Sequence, residues 1–179
     1  LRLPETDAEI QALALAGHGS ICHPCAMVRR SALEAVGGYD ESLPLGHDLD
    51  LWLKLGEIGK LANLPDRVLR YRLLTSSMSG RHPTDQRAEA RLACEAAWRR
   101  RGLEGRFEAT QPWRPTGDRA SQHQFMLQYG WWAFNSGQGK TAALYGGKAI
   151  LAQPWRRSGW ALLGAALLKP PPTVPKERP

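Results

Sequence analysis

Apolar residues recur at helical spacing along most of this chain and alternate at strand spacing in one short region. Wound at about 100° per residue, Gly46 to Leu55 places Leu49, Leu51, Trp52, Leu53 and Leu55 on one broad arc, with Asp50 and Lys54 opposite. Asp48 falls near the middle of the apolar arc. A carboxylate in the first turn is favoured by the helix dipole, and one turned inward either caps the turn or faces a cleft.

Ahead of this helix, Thr6-Asp7-Ala8-Glu9 reads as a capping box before Ile10, Leu13 and Leu15, predicting a short helix that Gly17-His18-Gly19 stops. Ser20 to Val28 reads as extended around Pro24, and Ala32 to Val36 as a second short helix ended by Gly37-Gly38. Tyr39 to Gly46 is a loop. After Gly59, Lys60 to Leu64 alternates like a half-buried strand, Pro65-Asp66 turns, and Val68 to Leu73 alternates again. The polar run Thr75 to Gly80 marks a boundary. Beyond it the spacing predicts helices over Thr84 to Arg101, Arg119 to Ser136, Thr141 to Ala152 and Trp155 to Leu168. Lys169 to Pro179, rich in proline and charge, reads as a disordered tail. The expected organisation is therefore 1–80, a helical extension over 81–168, and the tail 169–179.

With 179 residues and 42% hydrophobic composition the chain can bury a real core. The apolar run Trp160 to Leu168 is much shorter than the roughly 20 residues that cross a bilayer. The net charge of +7 invites anionic partners without choosing among them. A nucleic-acid partner has only that charge to support it. Three widely spaced cysteines without a secretory signal argue for a reducing compartment, with the cytoplasm, or the inner face of its membrane, as the expected location.

Several local motifs reduce to ordinary structure. Cys22-His23-Pro24-Cys25 has redox or half-zinc spacing, but extended residues follow it and no second ligand pair completes a metal site. Asp48-Leu49-Asp50 is formally a D-x-D, yet on a helix its carboxylates point about 160° apart and cannot chelate one ion. Gly137-Gln138-Gly139-Lys140-Thr141 resembles the end of a P-loop but follows a helical rather than a strand pattern, and reads as a helix–helix turn. Trp131, Trp132, Trp155 and Trp160 are expected mainly in a core, Trp155-Arg156-Arg157 and Trp160 being those that also suit a lipid interface.

From His23 to Ser79 the order of signals resembles the second half of an inverting family-2-type glycosyltransferase. The pieces are His23-Pro24, Met27 to Leu33, Val36-Gly37-Gly38-Tyr39-Asp40-Glu41, Asp48 to Leu55, Leu64-Pro65-Asp66, and Tyr71-Arg72 before a serine-rich turn. The resemblance implies an α/β fold, a partial nucleotide-diphospho-sugar transferase layer of GT-A type over 1–80. It further implies transfer of a sugar from a nucleotide-sugar donor to a sugar or lipid-linked acceptor, with a divalent metal, manganese or magnesium, in the complete enzyme. By resemblance Asp48 is the general base that deprotonates the acceptor hydroxyl. His47, His23 and Trp52 line or support the acceptor side, and Arg72 offers charge to a phosphate.

His47 stands where such enzymes usually carry glutamate, and Leu74 where many carry histidine. No strand-plus-glycine nucleotide-binding opening and no extended metal-binding D-x-D is found, so the donor half is expected to be absent and this chain to be inactive alone, binding no metal itself. A non-catalytic basic helical module docking on a membrane surface or protein partner is the competing expectation.

Overall fold

The structure, a computed structural model, describes residues 3–66, 68–69, 83–110 and 118–170. They form two compact units, one within Arg2–Trp113 and the other within Arg114–Pro179.

The first unit contains α1 (Asp7–Leu15), a 3-10 turn at His23–Cys25, α2 (Arg30–Ala35), α3 (His47–Ile58) and α4 (Pro83–Arg101). Helix α1 ends where Gly17 adopts φ 88°, and the N–H groups of Gly17 and His18 return to the carbonyls of Ala14 and Leu13. Thr6 precedes this helix as the pattern predicts, but its hydroxyl donates to Glu9 at 2.6 Å instead of capping the backbone.

Helix α3 is the centre of the unit. Its Leu49 and Leu53 pack with Ala14, Leu43 and the small residues Ala90, Ala93, Cys94 and Ala97 of α4. Those four recur at i, i+3, i+4 and i+7, a narrow stripe that lets the two backbones approach closely. Leu51, Trp52 and Leu55 form a second cluster with Ile21, Val28, Leu33, Val36 and Leu61. The outward position expected for Asp50 and Lys54 is corrected here. Asp50 is only 2% exposed, and Lys54 Nζ, itself half-buried, lies 2.6 Å from Asp50 Oδ2. An i,i+4 partner of opposite charge is what makes such a buried carboxylate tolerable. Farther along, Arg101 donates to Gln11 Oε1 and to the Leu53 carbonyl, each at 2.7 Å, joining α1, α3 and α4.

The α/β expectation is overturned: among the described residues there is no strand and no sheet. Residues 60–64 alternate in hydrophobicity, yet the Leu61 N–H is taken by the Asp7 carboxylate at 2.8 Å. Asn63 donates to the Pro4 and Ser20 carbonyls at 2.6 and 2.8 Å. Side chains thus supply the partners that a neighbouring strand would have supplied. Val68 and Leu69 are not in a strand either, and the remainder of that expected strand lies outside the described residues. Helix α4, which a boundary at 80 groups with the later helices, packs instead on α3 and α1. The expected tail lies outside the described residues from 171 on.

The second unit is α5 (Arg119–Asn135), α6 (Gly139–Ala152) and α7 (Arg157–Leu168). Asp118 caps α5 by accepting from the Ser121 N–H at 2.8 Å. The P-loop-like residues form the α5–α6 turn, with Gly137 at φ 77° and Lys140 exposed. Phe134, Ala133, Ala142 and Leu162 make its core. Gly146 and Gly159 allow α6 and α7 to touch: a Cβ on Gly146 would sit 2.9 Å from the Leu163 backbone nitrogen. Buried His123 staples all three helices, its Nδ1–H donating to the Ala149 carbonyl and its Nε2 pairing with the Ser158 hydroxyl, both at 2.8 Å.

The Asp7 tether gives a signed prediction. Hydrogen bonds from the Leu61 N–H and from Gln11 hold the Asp7 carboxyl below its ordinary value of 3.8 in the folded state. Its contribution is therefore present above pH 3.8 and is lost as pH falls through the lowered folded value. Asp7→Ala is expected to cost about 1 kcal/mol at neutral pH. In urea titrations the gap to the wild-type chain should narrow in acid below pH 3.8, and a pH-independent gap would contradict the assignment.

Candidate functional site

The N-terminal end of α3 is held from a distance. Glu89, on α4, accepts from the backbone N–H groups of Leu45 and Gly46 at 2.6 and 2.8 Å. Leu45 and Gly46 stand just ahead of the helix, the Gly46 N–H being shared with the Leu43 carbonyl at 3.2 Å, and a carboxylate there also meets the positive end of the helix dipole. Gly46 is needed because α4 passes against it: a Cβ would lie 2.9 Å from Glu89 Cβ and 3.1 Å from the Glu89 carbonyl carbon. Its φ of −113° is open to any residue, so the constraint is space rather than backbone strain.

This clamp presents Asp48 to a small cleft. The cleft measures about 60 Å³ and is walled by Gly17, Leu49 and Trp52 among its apolar and backbone surfaces, with Asp48, Gln86 and Arg87 as its side-chain polar groups. Such a volume takes a few waters or one small polar group. Asp48 is half-buried, and its Oδ1 accepts from the Leu49 N–H at 2.8 Å. Burial lowers the pKa of the Arg87 guanidinium, which reaches the Gly17 carbonyl at 3.5 Å. Arg87 Nε has no acceptor among the described residues, which leaves donor capacity beside the cleft. A carboxylate, an amide, a guanidinium and an indole wall are a suitable set for a polyhydroxylated or anionic group.

Trp52 joins the cleft to a ring cluster. Its indole meets His23 edge-on at 5.8 Å between centroids, and His23 in turn meets His47 at 5.5 Å and Tyr39 at 5.8 Å. His23 Nε2 shares a 2.9 Å hydrogen bond with the Tyr39 hydroxyl, while His47 Nδ1–H donates to the Pro44 carbonyl at 2.9 Å. The structure therefore brings His23, His47 and Trp52 together and sets Asp48 on the cleft that Trp52 also lines. Arg72 and Leu74 lie outside the described residues. Arg29 and Arg30 are exposed, Arg30 pairing with Glu34 at 2.9 Å.

Sequence reasoning gave no role to Tyr39, Gln86, Arg87 or Glu89. Tyr39 stands inside the quoted Gly-Gly-Tyr-Asp motif and could have been found there. The other three lie about a hundred ångströms of extended chain away from α3, and no local pattern links them to it.

Among the described residues, no group of three or more histidine, cysteine, aspartate or glutamate side chains could hold a metal ion. Asp50 is turned away from the cleft toward Lys54, so it cannot share an ion with Asp48. Nor is Cys22-x-x-Cys25 built as an activated thiol. The two sulfurs are 3.8 Å apart, and burial together with the contact to Cys25 pushes the Cys22 thiol up. Buried Cys94, whose thiol donates to the Ala14 carbonyl at 3.4 Å, is pushed up to about 12 by burial.

Comparison with protein-family models, with curated proteins and with solved structures finds no match to this chain.

Two outcomes follow from this geometry. Glu89→Ala strands the Leu45 N–H, leaves the Gly46 N–H with only the Leu43 carbonyl at 3.2 Å, and should lower stability by about 1–2 kcal/mol. Gly46→Ala should cost a similar amount, about 1–3 kcal/mol, by overpacking; chemical denaturation checks both, and a neutral Gly46→Ala would mean that α4 does not pass where described. Iodoacetamide on the native chain should label exposed Cys25 and leave Cys94 unmodified until denaturant is added.

Proposed function

We propose that the first unit is the acceptor side of a sugar-transfer site, with Asp48 as the general base. The observation that carries this reading is the position of Asp48 on α3. The residue that the glycosyltransferase resemblance singles out stands on a cleft beside an indole, an amide and a guanidinium. The cleft is sized for one small polar group, such as an acceptor hydroxyl with its immediate neighbours, and not for a whole nucleotide sugar.

In the proposed step the acceptor oxygen attacks the anomeric carbon of a nucleotide-activated sugar. The new C–O bond forms as the bond from that carbon to the diphosphate breaks, with inversion, and the hydroxyl proton passes to Asp48. Arg87 and Gln86 orient the acceptor hydroxyl through hydrogen bonds, and Trp52, buried apart from this edge, closes the inner wall of the cleft. His23 meets the indole of Trp52 edge-on and is itself held by His47 and Tyr39, so the three rings support the site through Trp52.

Titration of the chain with simple glycosides, followed by NMR shifts of backbone amides, tests the acceptor side without needing turnover. Millimolar binding with shifts centred on Asp48, Trp52 and Arg87 is expected, reduced several-fold in Arg87→Ala. In a preparation that transfers sugar, Asp48→Asn should lower turnover by about 10²- to 10⁴-fold while leaving acceptor binding within a few-fold. Undiminished transfer by that variant, or glycoside shifts elsewhere on the chain, would overturn the reading.

A further inference from the structure

The second unit has an unusual charge distribution. From Arg119 to Pro170 the sequence holds Arg119, Lys140, Lys148, Arg156, Arg157 and Lys169 and not one aspartate or glutamate. On α6 the exposed residues are Lys140, Leu144, Lys148 and Leu151. At about 100° per residue these four fall within roughly 80° of arc, so basic and leucine side chains share one stripe.

That stripe runs into the turn joining α6 to α7, where Leu151 is 83% exposed, Trp155 70% and Trp160 55%. Trp160 Nε1–H donates to the Pro154 carbonyl at 2.9 Å, which fixes its ring beside the turn that carries Trp155. Exposed Arg156 and Arg157 stand between the two tryptophans. The expectation that tryptophans at this spacing pack a core is thus corrected for Trp155 and Trp160.

We infer that the α6–α7 corner docks on a bilayer surface that displays anionic lipid headgroups. Indoles and a leucine grouped with arginines are the side chains that partition into the headgroup–acyl boundary, the apolar groups entering and the guanidinium groups pairing with phosphate. No carboxylate between Arg119 and Pro170 opposes the approach. The contact is peripheral, since no helix among the described residues is long and apolar enough to cross a membrane.

Two other occupants are disfavoured by the same residues. Two-fold pairing of this corner with a second copy would set Arg156 and Arg157 against their own counterparts, with no acid between Arg119 and Pro170 to offset the repulsion. Single-stranded nucleic acid stacks on aromatic rings and pairs with arginines, but leaves Leu144 and Leu151 with nothing to cover them. The inference stands apart from the role of Asp48, and its test reads no transfer activity.

The test is co-sedimentation of the full chain with vesicles of neutral phosphatidylcholine, or of the same lipid with about one-third phosphatidylglycerol, at about 0.1 M and 0.5 M salt. Binding to the anionic vesicles alone, falling steeply with salt, is expected. Trp155→Ala with Trp160→Ala, and separately Arg156→Gln with Arg157→Gln, should each weaken it on the order of tenfold. All four positions are exposed, and unchanged thermal melting would show that the fold is kept. Brominated lipid should quench the fluorescence of the wild-type chain more than that of the tryptophan variant. Equal binding to neutral vesicles, no binding to anionic ones, or variants that bind like the wild-type chain would overturn the inference. So would displacement from vesicles by single-stranded RNA through the same residues, or self-association that the tryptophan variant abolishes.

Discussion

The first unit depends on how α4 meets the start of α3. Glu89 holds the N–H groups of Leu45 and Gly46 at 2.6 and 2.8 Å, and the missing side chain at Gly46 lets the α4 backbone come close enough to do so. Remove the carboxylate and the Leu45 N–H just ahead of α3 loses its acceptor; add a methyl group at 46 and the two helices must separate. The contact is short because both of its conditions are strict. It fixes where Asp48 stands and, through Leu49 and Leu53 against the alanine stripe of α4, the packing of the core around it.

A helix clamped and covered on almost every side must account for its polar residues. Asp50 and Lys54 do so by pairing with each other. Asp48 does so differently, with one oxygen on the Leu49 N–H and the carboxylate on a cleft that holds Gln86 and Arg87. Two carboxylates separated by one residue therefore have opposite assignments. One is internal and paired with Lys54, and the other lies on the cleft. The ring cluster of His23, Tyr39, His47 and Trp52 packs at the same end of α3.

The second unit solves a different problem. Its helices pack through glycine, alanine and one fully satisfied histidine, which leaves several large apolar side chains outside. Exposed leucines are common on proteins, but two exposed tryptophans flanking two arginines, in a stretch from Arg119 to Pro170 that carries no acid, form a chemically directed patch. Its cost in water is what a bilayer boundary would relieve.

The helices were legible from the chain because each depends on local rules: the 3.6-residue period, with Gly17, Gly37 and Gly137 as left-handed stops. The inward position of Asp48 was legible for the same reason, since its place on the apolar arc is a matter of angle along one helix. The alternation of 60–64 was read as a strand, and here local pattern was insufficient. A strand exists only with a partner, and Asp7 and Asn63 had already taken or offered the hydrogen bonds that a partner would use. The burial of Asp50 was missed likewise, because angular position tells which residues share a face but not whether another element covers the opposite one. The sequence by itself determined the helices, their stops and the acidic turn that begins α3. Only the tertiary structure decided that Glu89 would hold that turn and that Arg87 would face it, because contacts between residues some forty positions apart are set by which surfaces pack together, and no periodicity along the chain encodes that.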